Sequence, residues 1–173
     1  MEQTLTINDQ LVELGTLEKN EATSVQRVGA RLVDEFLGSY PAPIHNDEIV
    51  ANVLYYLTDI QVRDYALGLL GKYSDRRIEL ALTYLMNVAP TDSAYINAPS
   101  ALLAQLYYEQ GNTADAFLTL QNAQENYSLR LLLDRVFRSG WDPKGFASMR
   151  EELHPQVVKN IFGEEDNDNS NAS

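Results

Sequence analysis

The chain has 173 residues, no cysteine and a formal net charge of −12, with 13 basic against 25 acidic residues. That length suits one domain with a sizeable buried core. The acidic charge disfavours direct binding to nucleic acid or to an anionic membrane, because both attract a basic surface. The missing cysteines exclude a disulfide scaffold, a thiolate zinc site and a thiol nucleophile.

The first ten residues, MEQTLTINDQ, contain neither a basic segment nor an apolar segment, so we expect no secretory signal peptide there. No apolar run approaches the ~20 residues that a membrane helix needs. Together with the absence of cysteine, these features favour a cytoplasmic location and no membrane partner.

Three regions follow from composition and periodicity. Residues 1–23 are predicted to form an N-terminal arm or a short helix. Residues 24–162 form a single predicted helical domain, because their apolar residues recur at helical spacing. Residues 163–173, GEEDNDNSNAS, are almost free of apolar groups and are predicted to be a disordered acidic tail.

Within the helical domain, capping residues, glycines and prolines divide the pattern into separate helices. The predicted helices span 24–37, 47–57, 60–73, 76–88, 99–110, 113–125, 129–139, 143–154 and 156–162. The predicted N-caps are Thr23 or Ser24, Asn46, Asp59, Ser74 or Asp75, Ser128 and Asp142.

No convincing pair of strands is present. We therefore predict an all-α fold of about seven to nine antiparallel helices, stacked as helical hairpins in a tetratricopeptide-like right-handed array or a bundle.

Residues 97–130 resemble one tetratricopeptide repeat. The repeat places a Leu-small pair and then a Tyr in its first helix, a Gly in its turn and small residues in its second helix. The matching residues here are Leu103, Ala104, Tyr107, Gly111, Ala116 and Ala123. Ser100 and Ser128 depart from the pattern, since the repeat prefers Trp and Pro at those positions.

Three segments carry a second resemblance: LTDIQVRDYALGLL, ALLAQLYYEQGNTADAFLTLQNA and YSLRLLLDRVFRSGWDP, which together span 57–143. In order and spacing they resemble the C-terminal part of the actinobacterial and actinobacteriophage family of unknown function DUF4192. The resemblance implies a helical, repeat-like module of actinobacterial or phage origin, and it implies no catalytic residues.

Tyrosines are the most prominent candidates for binding residues. Tyr55 and Tyr56 are adjacent in one predicted helix, and Tyr107 and Tyr108 in another. Adjacent helical side chains diverge, so one member of each pair is expected at the rim of the core or exposed. Such tyrosines either pack with the hydroxyl in water or line a groove that binds a partner, as tyrosine often does at interfaces.

Charged residues supply weaker candidates. Arg76 and Arg77 fall in the first turn of a predicted helix, where cations are disfavoured, so they indicate either a solvated turn or contact with an acidic partner. Arg63 and Asp64 are expected to pair with neighbouring helices rather than with each other. His154, after Glu151 and Glu152, is expected to cap a helix end before Pro155.

The leading interpretation is a non-catalytic helical protein-interaction module that binds a host or phage protein through an aromatic groove. A homo-oligomer is compatible with it, and no cofactor or metal is expected. One alternative is an acidic inhibitor or nucleic-acid mimic directed at a host nucleic-acid enzyme, because residues 1–58 carry three basic and nine acidic groups. The other is an enzyme of unidentified type, although the sequence contains no nucleophile elbow, phosphate loop, dinucleotide fingerprint or metalloprotease helix motif.

Overall fold

The computed structural model of the protein describes residues 6–15 and 22–163. This part of the chain contains nine α-helices and no β-strand, which confirms the all-α prediction. The helices are α1 (Ile7–Gly15), α2 (Ala22–Ser39), α3 (Asp47–Tyr56), α4 (Ile60–Gly68), α5 (Asp75–Val88), α6 (Asn97–Glu109), α7 (Thr113–Leu120), α8 (Ser128–Ser139) and α9 (Pro143–Phe162). Short 3₁₀ turns precede α3, follow α4 and precede α6.

Two predictions fall wholly or partly outside the described residues. For the N-terminal arm, the structure describes Thr6 and helix α1, but not residues 1–5 or 16–21. For the acidic tail, it describes only Gly163, and residues 164–173 lie outside. None of the helices in the described ranges is long and apolar enough to span a bilayer.

Four predicted N-caps are confirmed by hydrogen bonds from backbone N–H groups one turn ahead. Asn46 accepts from Ile49, and Asp59 accepts from Gln61 and Val62. Ser74 and Asp142 cap α5 and α9 in the same way. These bonds form within a few residues of chain, so they depend little on the rest of the fold.

Helix α2 begins at Ala22, so the prediction that Thr23 or Ser24 caps it is wrong.

Boundaries further along the chain were also predicted wrongly. Ser128 is the first residue of α8 rather than its cap, and Tyr127 precedes it without a side-chain capping bond. Helix α7 ends at Leu120, five residues earlier than expected. The reason is long-range: the buried side chain of Asn97 accepts a hydrogen bond from the backbone N–H of Gln124 at 2.7 Å and donates to the Gln124 side chain at 2.9 Å.

The predicted break at Pro155 is also wrong, because α9 runs unbroken from Pro143 to Phe162. Pro155 has no N–H to donate, which weakens the helix locally. Tertiary packing outweighs that loss, since Phe146 near one end of α9 is 4% exposed and Ile161 near the other is fully buried. His154 therefore lies inside a helix and caps nothing.

Helix α6 forms the centre of the molecule, and eleven of its thirteen residues are buried. One side of it, including Leu102 and Leu106, joins a large cluster built mainly from α2–α5, with contributions from α1 and α9. The other side, including Ala104 and Tyr108, joins a smaller cluster with α7, α8 and the start of α9. A helix that is apolar on nearly all sides must be enclosed by others, as α6 is here.

Helix α9 approaches α4 very closely at one glycine. A Cβ atom added to Gly68 would lie 1.7 Å from Nδ1 of His154, far inside contact distance. The imidazole therefore occupies the space that any other residue at position 68 would fill. This contact fixes how near α9 can come to α4.

Replacing Gly68 with Ala is expected to lower the free energy of unfolding by about 1–3 kcal/mol, because His154 and α9 must move to admit the methyl group. The matched control is Gly145→Ala in the first turn of α9, where the new Cβ meets only ordinary contacts at 3.6 Å. That control is expected to stabilise the protein by about 0.4–1 kcal/mol. Urea denaturation measures both, and equal effects of the two variants would contradict the close approach.

Candidate functional site

The structure does not gather the four candidate tyrosines into one groove. Tyr55 and Tyr56 are half-buried on α3, and the ring of Tyr56 packs against Gly29 of α2. Tyr107 is half-buried, and its hydroxyl donates to Glu79 of α5 at 3.1 Å. None of the four lines any of the cavities described below.

Tyr108 is a core residue, so its assignment as a partner contact is wrong. Its side chain is 2% exposed and stacks on Phe137 with 4.4 Å between the ring centroids. Its hydroxyl donates to the backbone carbonyl of Trp141. A partner could reach this side chain only by opening the core around it.

The candidate arginines have partners within the chain. Arg76 pairs with Glu79 at 3.3 Å, and Arg77 donates to the backbone carbonyl of Gly38. No acidic partner is required to explain either one. The prediction for Arg63 is wrong: its Nε and Nη2 both donate to Asp64, at 2.9 and 2.7 Å, because the long buried side chain folds back onto its neighbour.

A cavity of about 220 Å³ lies where α4, α8 and α9 meet, with α6 behind it. We call it the leucine pocket. Its apolar lining residues are Leu67, Leu129, Leu132, Leu133, Phe146, Met149, Leu153 and Val157. Its remaining lining residues are Arg63, Asp64, Gly68, Gln105, Arg150 and His154.

Two leucines of this pocket are exposed. Leu132 on α8 is 54% exposed, and Leu153 on α9 is 57% exposed. Leu129, Leu133 and Phe146, which lie deeper, are each 5% exposed or less. The pocket is therefore an opening into the core with apolar side chains of two different helices at its mouth.

A buried ion pair anchors the α9 side of the pocket. Arg150 donates through Nε and Nη2 to the carboxylate of Glu109 on α6, with the shortest distance 2.8 Å. Both side chains are only 9% exposed. The two-point geometry sets both the distance and the orientation of α9 relative to α6.

His154 lies at the edge of the pocket between Gly68 and the ring of Tyr65, whose centroid is 5.4 Å away. Its Nδ1 atom is buried and has no hydrogen-bond partner. Burial lowers the pKa of His154, and the positive charge of Arg150 lowers it further. The imidazole is therefore neutral at physiological pH.

Asp34 of α2 anchors the same region from the other side. Its carboxylate accepts hydrogen bonds from Lys72 at 2.8 Å, from Tyr65 at 3.2 Å and from Tyr73. Burial alone would raise the pKa of Asp34, but the hydrogen bonds from Lys72 and Tyr73 lower it. Burial and the Asp34 charge raise the pKa of Tyr65 to about 12, so this cluster is fixed in one protonation state near neutral pH.

A second cavity, of about 620 Å³, is larger but polar and open. It lies between α7, α8 and the loop before α6, and its lining includes Gln121, Asn122, Gln124, Arg130 and Arg138. Arg130 already donates to the backbone carbonyl of Ala123, and Arg138 pairs with Asp134 at 2.8 Å. Across the described ranges there is no group of three or more His, Asp or Glu side chains that could hold a metal ion.

Sequence reasoning missed the leucine pocket, although one signal was available. Residues 131–133 are three consecutive leucines on α8. Successive helical residues are 100° apart, so all three cannot face the core. Leu133 is fully buried, whereas Leu131 and Leu132 are exposed.

These features define an all-α protein of packed helices with an apolar pocket open to solvent. A family model described as a domain of unknown function, DUF4192, matches residues 6–144, and the chain belongs to that family. The match covers α1–α8 and thus begins well before the segments at 57–143 that carry the resemblance. Searches of curated proteins and of solved structures found no match to this chain.

Removing the charge of Glu109 is expected to destabilise the protein strongly, because Arg150 would remain buried without a counter-charge. We expect Glu109→Gln to lower the free energy of unfolding by about 3–5 kcal/mol. The control is Asp134→Asn, which breaks the Arg138 ion pair on an exposed face and is expected to have little effect. Chemical denaturation measures the free energy of unfolding of both variants. Similar losses in Glu109→Gln and Asp134→Asn would contradict the stabilising role of the Arg150–Glu109 pair.

Stability is expected to fall as the pH drops below about 6.5. The pKa of His154 is lower in the folded chain than its ordinary 6.5, so the unfolded chain binds a proton first as the pH falls. The stability that neutral His154 contributes is therefore fully present above about pH 6.5, and it is lost as the pH falls through the lower pKa of His154 in the folded chain. Urea denaturation of His154→Gln between about pH 5 and pH 8 should show a flatter profile than the unmodified chain.

The matched control for that profile is His45→Gln, which removes the exposed histidine in the 3₁₀ turn before α3. It is expected to keep the pH dependence of the unmodified chain. An unchanged slope in His154→Gln would show that this histidine does not cause the effect. Asp34 acts in a separate and more acidic range, because its pKa lies below the ordinary value of 3.8.

Proposed function

We propose that this protein is a non-catalytic helical interaction module that holds a partner protein at the leucine pocket. The observation that carries the proposal is the pair of half-exposed leucines, Leu132 and Leu153, on two helices at the mouth of a cavity with a buried apolar lining. Burying a leucine side chain that was exposed gains about 1.5–3 kcal/mol. A partner that covers both leucines therefore gains binding free energy.

The size of the pocket favours a protein partner over a small substrate. Pockets for small molecules of drug size have volumes of about 300–1,000 Å³. The leucine pocket has about 220 Å³, which suits one apolar side chain of a partner. Anchoring by one or two buried side chains is typical of protein interfaces.

The polar groups at the pocket support a binding role rather than a catalytic one. Arg63 and Arg150 are each engaged by a carboxylate, Asp64 and Glu109 respectively. The mouth thus offers packing surface, and the buried Arg150–Glu109 pair holds the α9 wall against α6.

We place the protein in the cytoplasm, regard α6 and α7 as a tetratricopeptide-like hairpin, and expect an actinobacterial or phage origin with a host or phage protein as the partner. No direct contact with nucleic acid is proposed. The two other functions predicted from the sequence, an acidic inhibitor or nucleic-acid mimic and an enzyme of unidentified type, remain alternatives to this proposal.

The test is a double variant, Leu132→Gln with Leu153→Gln, compared with the control Leu118→Gln. Leu118 is 63% exposed on α7 and lines none of the cavities described above. We expect the unmodified chain and the control to capture the same protein from a host lysate, and the double variant to lose at least about nine-tenths of it. Quantitative mass spectrometry measures the captured protein.

Circular dichroism must first show that the double variant keeps the helical content and melting temperature of the unmodified chain. This is expected because the two leucines are already half in water. If a folded double variant captures the partner as well as the control does, the leucine pocket is not the binding surface.

A further inference from the structure

Two exposed residues of opposite charge flank the leucine pocket by their helical spacing, one on α8 and one on α9, and neither lines the pocket itself. On α8, Arg135 lies one turn after Leu132 and shares its face of the helix. On α9, Glu152 lies beside Leu153 and one turn after Met149, which lines the pocket. Both charged residues are exposed, and the described part of the chain gives neither of them an ion pair or a hydrogen-bond partner.

The same region is the least acidic part of the chain. Residues 127–162, which contain α8 and α9, carry six basic and four acidic groups. The rest of the chain carries seven basic and 21 acidic groups. Two copies of such a chain repel each other over most of their surface, and that repulsion is weakest where the α8–α9 regions face each other.

We propose that the occupant of the leucine pocket is a second copy of this chain, in a two-fold symmetric dimer. Helix α8 of each copy lies against α9 of the other. Leu132 of one copy packs beside Leu153 of the other at the pocket mouth, and Arg135 of one copy pairs with Glu152 of the other. This inference rests on the proposed function, because it uses the same pocket, but it assigns a second copy of the chain, rather than a host or phage protein, as the occupant.

Self-complementarity favours a second copy over a different protein. In a two-fold dimer, a contact from residue i to residue j is repeated as a contact from j to i. An exposed leucine with a free cation on one helix, and an exposed leucine with a free anion on the next, supply both halves of such a contact. A partner whose charges are all of one sign would pair with either Arg135 or Glu152, but not with both.

The experiment uses the full-length chain and sedimentation equilibrium over a range of protein concentrations. We expect a monomer–dimer equilibrium for the unmodified chain. Arg135→Glu and Glu152→Arg, made singly, are each expected to weaken dimerisation about tenfold, because each introduces repulsion at both copies of the contact. The double variant with both changes is expected to restore dimerisation, since the pairs reform with their charges exchanged.

The matched control is Arg138→Glu, which changes the net charge by the same amount as Arg135→Glu. Arg138 lines the polar cavity rather than the leucine pocket. We expect this control to dimerise like the unmodified chain. Equal weakening by Arg138→Glu would show a general charge effect and would overturn the assigned contact.

Three further outcomes bear on the dimer, and the first of them separates it from the proposed function. A chain that stays monomeric at every concentration overturns the dimer, while capture of another protein that depends on Leu132 and Leu153 leaves the proposed function intact. A dimer that persists in the Leu132→Gln, Leu153→Gln variant places the dimer contact elsewhere and overturns this inference. Failure of the charge exchange to restore dimerisation overturns the pairing of Arg135 with Glu152.

Discussion

The close approach of α9 to α4 is the contact on which the rest of the site depends. It is permitted only because position 68 is a glycine, whose missing side chain leaves room for the imidazole of His154. Helix α9 then supplies one wall of the leucine pocket, and Ile161 near its C-terminal end joins the core. A bulkier residue at position 68 would push α9 outward, so the fold and the pocket share one steric constraint.

Polar contacts fix the position that this steric contact allows. The Arg150–Glu109 pair ties α9 to α6, and Arg27 of α2 donates to the backbone carbonyl of Ile161 at 2.8 Å. Buried ion pairs add little net stability compared with apolar packing, but they are costly to separate. They therefore hold α9 at one position along its neighbours. This rigidity matters for a binding surface, because walls that are already in place reduce the ordering cost of association.

The same packing explains why leucines remain in water. Helix α8 presents one face to α6 and α7, which buries Leu129, Leu133 and Phe137. Helix α9 covers part of the apolar surface of α8 that α6 and α7 do not bury, but the gap beside Leu132 and Leu153 stays unfilled. Two exposed leucines cost little solubility in a chain with a net charge of −12. The acidic surface elsewhere thus permits an apolar contact site here and limits where two copies of the chain can meet.

The sequence by itself determined the all-α class and the N-caps at Asn46, Asp59 and Asp142, and it narrowed the cap of α5 to Ser74 or Asp75, because periodicity and capping are properties of a few adjacent residues. It also carried the family resemblance. Only the tertiary structure decided that α9 continues through Pro155, that Tyr108 is buried and that the leucine pocket exists. Each of these depends on which distant helices pack together, and packing between residues far apart in the chain can outweigh a local preference for a break, an exposed side chain or a cap.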